Sequence, residues 1–315
     1  MGDGKLTEVQ LSAGRVISRR FGELADVWPH LTWGESVVVG ARLTNDEEVV
    51  LKASGEHSVA AEANTLRMAA DAGALVPPIL AEGEDEHLPG GHWMILRKAR
   101  GQPWALPDRT ADASPRTQDD VGRVFSLLHA RELPGRGPLT KNGEGSYVRW
   151  SDWLRESLDP WLRFLQSGGH YDRGLILRVS RLFSSRAAML DERPGVLVHG
   201  DLGNMEIFVD ESDRVVDIVD FGKSAVGDPV FDFVRFCGGG PIDDPRPDAL
   251  LPRVRRSYVA HGGVEPENWD ELFWIYSVFN AVDNSAWSIR EDFPWLPGLQ
   301  KKVSYLLDLI EGGLE

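Results

Sequence analysis

Two periods of apolar spacing run along this chain, and the points where one gives way to the other mark the elements. Val16, Ile17, Phe21, Leu24 and Trp28 recur at helical intervals and predict a helix over residues 14–30. Val37-Val38-Val39 and Val49-Val50-Leu51 flank the polar Thr44-Asn45-Asp46, which is the pattern of an antiparallel hairpin. The Ala-rich run Ser58–Ala72 is helical and stops at Gly73. Leu75–Leu80, with Pro77-Pro78 inside it, reads as an extended connection, Glu82–Gly91 as an acidic turn, and His92–Leu96 as a strand. Helix, hairpin, helix and further strands predict a small α+β lobe with an antiparallel sheet, assigned to residues 1–98.

A connector rich in Pro, Asp and Ser runs from Gly101-Gln102-Pro103 to Pro115. Beyond Asp119 helical spacing dominates, so residues 99–315 are expected to form a mainly helical lobe. Val121, Val124, Leu127, Leu128 and His129 share one face; Trp150, Trp153, Leu154, Leu158, Trp161, Leu162 and Leu165 share another. That spacing places Trp150, Trp153 and Trp161 in a core rather than on a stacking platform. Final helices are predicted near 250–260, 269–289 and 297–309, after the break Gly238-Gly239-Gly240-Pro241.

Three short strands interrupt the helical lobe: Gly195–Val198, Ile207–Val209 and Val215–Val219. The first ends in His199-Gly200-Asp201-Leu202 and the third in Asp220-Phe221-Gly222, with a polar turn at Glu211-Ser212-Asp213 before the third. Two carboxylates thus stand at the ends of neighbouring strands. Gly227-Asp228-Pro229 reads as a helix start, with Asp228 as N-cap and Pro229 at the first helical position.

Composition narrows the class. With 315 residues the chain is long enough for two lobes, and 42% hydrophobic with 26% charged residues is an ordinary globular balance. One cysteine, Cys237, excludes an internal disulfide framework and a cysteine-rich metal site, and fits a reducing cytoplasm. The start of the chain lacks the basic, apolar and small-residue regions of a signal peptide, and the Ser/Thr position of a myristoylation motif holds Leu6. No apolar run approaches the roughly 18 residues of a membrane span. A net charge of −15 argues against nucleic acid as partner. Residues 265–315 carry three basic and ten acidic groups, an acidity able to steer a cationic ligand.

Phosphoryl transfer from ATP needs countercharge on the phosphates, a hard cation bridging them and a carboxylate that places the acceptor hydroxyl. Asp201 is the candidate catalytic base or positioner. Asp220, opening a literal Asp-Phe-Gly, is the candidate Mg2+ ligand, since hard cations take oxygen donors. Lys52, closing the strand from Val49, is the candidate phosphate-binding lysine, and Glu62 on the following helix its ion-pair partner. The turn Trp33-Gly34-Glu35-Ser36 would lie over the phosphates, with Gly34 and Ser36 as contacts. Ile95, Leu96 and Arg97, where a strand enters the connector, would offer backbone groups to adenine. Alone, each is an ordinary surface residue; their order along the chain is what points to a kinase.

His199-Gly200-Asp201-Leu202, Ile218-Val219-Asp220-Phe221-Gly222 and Gly227-Asp228-Pro229 with Asp232 resemble the aminoglycoside phosphotransferase family. That family shares the two-lobed fold of the protein kinases and includes choline and homoserine kinases. The resemblance implies Mg2+-dependent transfer of the ATP γ-phosphate to a hydroxyl of a small molecule, often an antibiotic, and a substrate held by acidic residues of the C-terminal helices. Asp283, Asp270, Glu271 and Glu291 are the candidates here. Asp283 leads, because it interrupts an apolar helix where an uncompensated carboxylate is costly. His199 is expected to prop the Asp201 loop, and Asp232 to bond that loop's backbone.

One position departs from the family pattern, which places Asn five residues after the catalytic aspartate as second metal ligand. Glu206 stands there, while Asn204 falls two residues early, about 6–7 Å away in an extended chain. Glu206 keeps an oxygen donor and adds a charge. Three functions remain open: an aminoglycoside-type antibiotic kinase, a metabolic kinase for choline, an amino alcohol or a sugar, and a nucleotide-binding pseudokinase in which Glu206 impairs the metal site.

Overall fold

The computed structural model describes residues 7–30, 35–104, 114–203, 205–237, 250–294 and 296–313. The described residues divide into two compact units, one within residues 1–109, 139–143 and 205–223, the other within 110–138, 144–204 and 224–315.

In the first unit, Thr7 and Gln10 form a capping box that starts helix α1 (Glu8–Phe21), and Gly22, at φ +91°, ends it. The helix therefore begins and ends earlier than the predicted 14–30. A right-handed helix cannot run through a residue at positive φ, so Leu24–Pro29 become strand β1 instead. Strands β2 (Ser36–Leu43) and β3 (Glu48–Ser54) form the expected hairpin, with Asp46 at φ +67° in its turn. Helix α2 (Val59–Asp71), strands β4 (Ile79–Glu84) and β5 (His92–Arg97) and the short β6 (Gln102–Pro103) follow. The main sheet is antiparallel in the order β1-β2-β3-β5-β4. Ala13, Val16 and Ile17 of α1 pack on Val39, Ala41, Leu51 and Ile95 of the sheet. Each fully buried Val, Leu or Ile among them contributes about 1.5–3 kcal/mol.

The chain continues through α3 (Pro115–Leu128), β7 (Arg136–Leu139), β8 (Gly145–Tyr147), α4 (Trp150–Ser167), α5 (Arg173–Ser185), α6 (Ala187–Asp191) and β9 (Val196–Val198). It then re-enters the first unit, where β10 (Ile207–Val209) and β11 (Val215–Ile218) make a hairpin that β6 extends to three strands. After residue 223 it returns to the second unit as β12 (Ala225–Gly227), which lies between β9 and β7, followed by α7 (Pro229–Cys237), α8 (Leu251–Ala260), α9 (Trp269–Arg290) and α10 (Leu296–Glu311).

The second unit is built around aromatic contacts of α4, α7 and α9. Trp150 is buried, stacks on Trp153 with centroids 4.4 Å apart, and donates its indole N–H to the Tyr276 hydroxyl at 3.1 Å. Trp161 is half-buried, with the Arg290 guanidinium 5.9 Å from its ring centre. No helix among the described residues is long and apolar enough to cross a membrane.

Candidate functional site

In the first unit, strand β3 delivers Lys52 and the first turn of α2 delivers Glu62, both almost fully buried. The Lys52 ammonium donates to Glu62 Oε1 at 2.8 Å and to Asp220 Oδ1 at 2.6 Å. Burial alone pulls this lysine's pKa down; the Glu62 and Asp220 carboxylates outweigh it and hold the pKa above the usual lysine value. Glu62 Oε2 lies 2.9 Å from His57 Nε2, and His57 Nδ1 lies 3.1 Å from the Ser54 hydroxyl. Ser36, a predicted phosphate-loop residue, meets that same hydroxyl at 3.0 Å. Gly34 and Asn204 lie outside the described residues.

Asp220 stands two residues past the end of β11 and adopts φ +64°, a conformation that aspartate tolerates better than most residues. Its side chain is 57% exposed although one oxygen is held by Lys52. Phe221 is buried, and a Cβ on Gly222 would come within 2.7 Å of the His57 ring, so the close approach of histidine requires glycine. The Glu206 carbonyl accepts from Val219 N–H at 3.0 Å, which sets Glu206 opposite the residue before Asp220. Magnesium is usually bound by one or two carboxylates with phosphates and water completing the shell. An exposed Asp220 with Glu206 in the turn before β10 fits that donor chemistry.

Strand β5 has β3 on one edge and β4 on the other, and Arg97 N–H donates to Pro78 O at 3.1 Å. Ile95 and Leu96 thus pair on both sides within the sheet, and the Arg97 N–H is engaged at its edge with Pro78. The Arg97 side chain is turned to Asp217, a fully buried carboxylate that Arg100 also holds.

In the second unit, β9 leads into His199 and Gly200, the latter at φ +78°. Asp232 of α7 is fully buried and binds this turn as the sequence suggested. Its oxygens accept from His199 N–H at 2.9 Å and Gly200 N–H at 2.8 Å, with His129 Nε2 at 3.1 Å. Val230 N–H donates to Asp228 Oδ1 at 2.8 Å, which confirms the cap before Pro229. His199 is buried, and its Nδ1 accepts from Asp201 N–H at 3.4 Å.

Asp201 itself receives a hydrogen bond from Arg235, a residue the sequence reading missed. The same guanidinium donates to Asn280 Oδ1 at 2.5 Å and reaches Asp283 Oδ2 at 3.4 Å. Burial pulls the Arg235 pKa below its ordinary range, with Asp283 opposing the shift. A lone arginine in the apolar helix Pro229–Cys237 was the available signal. The Asp283 carboxylate is therefore compensated from within the chain.

The other acidic candidates are paired too: Asp270 with Arg255 at 3.5 Å, Glu271 with Arg186 at 2.7 Å and Glu291 with Arg290 at 2.9 Å. Asp270 and Glu291 mark opposite ends of α9, roughly 30 Å apart along a helix of this length, so the four cannot surround one small ligand.

The model of the phosphotransferase enzyme family (APH) matches residues 31–272. Among solved structures, a thermostable mutant of aminoglycoside phosphotransferase APH(4)-Ia, in ternary complex with AMP-PNP and hygromycin B, superposes with a TM-score of 0.71 at 20% identity, covering 96% of this chain and 99% of that one. A putative fructosamine-3-kinase from Thermobifida fusca YX-ER1 gives 0.66 at 17% identity, covering 94% and 98%. The macrolide 2'-phosphotransferase MphH from Brachybacterium faecium gives 0.61 at 16%, covering 92% and 96%. The α+β fold expected from the sequence, of the protein-kinase-like type, is the fold these structures share.

Proposed function

Because this chain belongs to the phosphotransferase enzyme family, we propose that it is a small-molecule kinase that moves the γ-phosphate of ATP to an alcohol, the first candidate acceptor being an aminoglycoside-type antibiotic. The observation that carries the reaction class is the buried Lys52, held by Glu62 at 2.8 Å and by the more exposed Asp220 at 2.6 Å. Such a lysine keeps its charge, is fixed in direction, and can turn from one exposed carboxylate to the oxygens of a phosphate. The AMP-PNP complex of APH(4)-Ia supports ATP as the donor.

Each residue then has a role set by its surroundings. Lys52 supplies countercharge to the phosphates, and Glu62, braced by His57, keeps the ammonium in place. Asp220 and Glu206 are the residues to hold Mg2+, which when bound neutralises charge on the phosphates. Asp201, held on the turn that Asp232 anchors, accepts the proton of the acceptor hydroxyl or orients it. The turn keeps its shape because both backbone N–H groups end on one buried carboxylate.

A second acceptor reading, a metabolic alcohol of low charge such as a sugar, is favoured by one observation. All four acidic candidates already face an arginine, which weakens the attraction of the C-terminal helices for a polycation.

Release of ADP across a panel of antibiotics, amino alcohols and sugars tests the proposal. Turnover with an acceptor that vanishes in Asp201→Ala supports it; ATP binding without turnover on any acceptor favours the pseudokinase. Glu206→Asn, followed by ATP turnover, tests the metal side: a large gain identifies Glu206 as an impairment.

A further inference from the structure

Resting on the phosphotransferase reading, we propose that His57 is a positioning residue for the donor phosphates. Through Glu62 it fixes the direction of the Lys52 ammonium, and so sets the affinity for nucleotide without itself touching it.

Three segments of the first unit meet at this ring. Its Nδ1 lies 3.1 Å from the Ser54 hydroxyl at the end of β3, and its Nε2 lies 2.9 Å from Glu62 Oε2 in α2. The ring also rests on Gly222, where an added Cβ would come within 2.7 Å of Nε2 and 2.9 Å of Cε1. Ser54 is buried, and its oxygen is itself fixed by Glu56 N–H at 3.1 Å and by the Ser36 hydroxyl at 3.0 Å. With both nitrogens anchored, the imidazole is held in one orientation. A carboxylate paired with a lysine only accepts, so Nε2 carries the hydrogen that Glu62 receives.

Glu62 thereby has one donor on each oxygen, Lys52 at 2.8 Å on Oε1 and His57 at 2.9 Å on Oε2. Donors on both oxygens fix the plane of the carboxylate, whereas a single donor leaves it free to turn. The lysine also has a competing partner. Asp220 holds it at 2.6 Å, and that side chain is 57% exposed against 2% for Glu62. If Glu62 turned away, the ammonium would settle on Asp220 alone. The countercharge for the phosphates and the carboxylate proposed for Mg2+ would then neutralise each other, and both would be withdrawn from the nucleotide. His57 removes that alternative. Asp201 and its turn belong to the second unit, so acceptor affinity is not expected to follow.

Calorimetry with Mg-ADP, together with KM for ATP and for an acceptor that supports ADP release, tests the proposal. His57→Ala should weaken Mg-ADP binding and raise KM for ATP by on the order of tenfold, the worth of one hydrogen bond to a charged group. KM for the acceptor should stay unchanged. A variant that is merely less stable loses active protein, which lowers kcat and leaves both KM values alone. His57→Gln places an amide nitrogen as many bonds from Cβ as Nε2 is, and should bind Mg-ADP nearly as the wild type does. His57→Asn places one where Nδ1 is, so it keeps Ser54, loses Glu62 and should fail as alanine does. In a Glu62→Gln background His57→Ala should weaken Mg-ADP binding no further. The Gln and Asn variants decide the matter if His57→Ala does not fold. Unchanged Mg-ADP affinity in His57→Ala and His57→Asn, equal loss in Gln and Asn, or a full effect in the Glu62→Gln background overturns the proposal and leaves the phosphotransferase reading standing. Absence of Mg-ADP binding to the wild type overturns that reading, and the role of His57 with it.

Discussion

Replacing Lys52 by methionine should separate what this residue does for the fold from what it does for the phosphates. In the wild type its ammonium and the Glu62 carboxylate are both nearly fully buried and 2.8 Å apart. Lys52→Met keeps the stem and removes the charge, which leaves Glu62 buried with His57 as its remaining partner at 2.9 Å. Breaking one side of a buried pair costs about 3–5 kcal/mol. The Asp220 contact adds little to that figure, because its carboxylate is 57% exposed and water can replace the lysine. Domains of ordinary stability have about 5–15 kcal/mol in total, so the single variant should be visibly weakened. Adding Glu62→Gln removes the second charge while keeping an acceptor for His57. The double variant should return to within about 1 kcal/mol of the wild type, since replacing both members of a buried pair is often neutral. Neither variant should regain nucleotide affinity, because the countercharge for the phosphates is gone from both. Urea unfolding, followed by tryptophan fluorescence and circular dichroism together, gives the stabilities, and calorimetry with ADP gives the affinity. A single variant within 1 kcal/mol of the wild type, or a double variant no better than the single, would refute the claim that compensated burial holds this lysine.

Asp232→Ala should cost about 3–5 kcal/mol and abolish turnover, since two backbone N–H groups and His129 lose their acceptor; Asp232→Asn, which preserves one oxygen, should fall between, as read by urea unfolding and ADP release. Gly122→Ala on α3 should destabilise despite a helix-propensity gain of about 1 kcal/mol. The new Cβ would sit 2.5 Å from Val254 O and 2.8 Å from Tyr258 N of α8, and backbone atoms cannot step aside; a raised melting temperature would contradict this. The Tyr171 and Tyr258 phenols are pushed up to about 12 by burial. Below pH 10 the folded and unfolded states both keep these protons; between pH 10 and about 12 only the unfolded chain releases them, so stability should fall as pH rises through that window. Absorbance at 295 nm, recorded with circular dichroism, checks whether these phenols ionise only as the fold is lost.

Much of the fold was legible because it rests on local rules. The hairpin about Asp46, the Ser58-capped helix, the Gly-Asp-Pro helix start and the long apolar α9 each follow from the spacing of a few neighbouring residues. The misreading at 14–30 had a local cause as well. Gly22 at positive φ and the capping box at Thr7 move the helix toward the N-terminus, while Leu24 and Trp28 happen to continue a helical period into what is a strand.

The sequence by itself determined the reaction class, since His199-Gly200-Asp201 and Asp220-Phe221-Gly222 are motifs of adjacent residues, and it supplied Lys52 and Glu62 in the right order. Only the tertiary structure decided which charges meet. Lys52 reaches Asp220 across 168 positions, and Arg235 reaches Asp201 and Asp283 across 34 and 48. No periodicity reports such distances. Asp283 reads as an uncompensated carboxylate in the sequence only because its arginine partner lies on another helix. A buried charge is stabilised by whichever opposite charge the packing brings within a few ångströms, and that is a property of the folded chain.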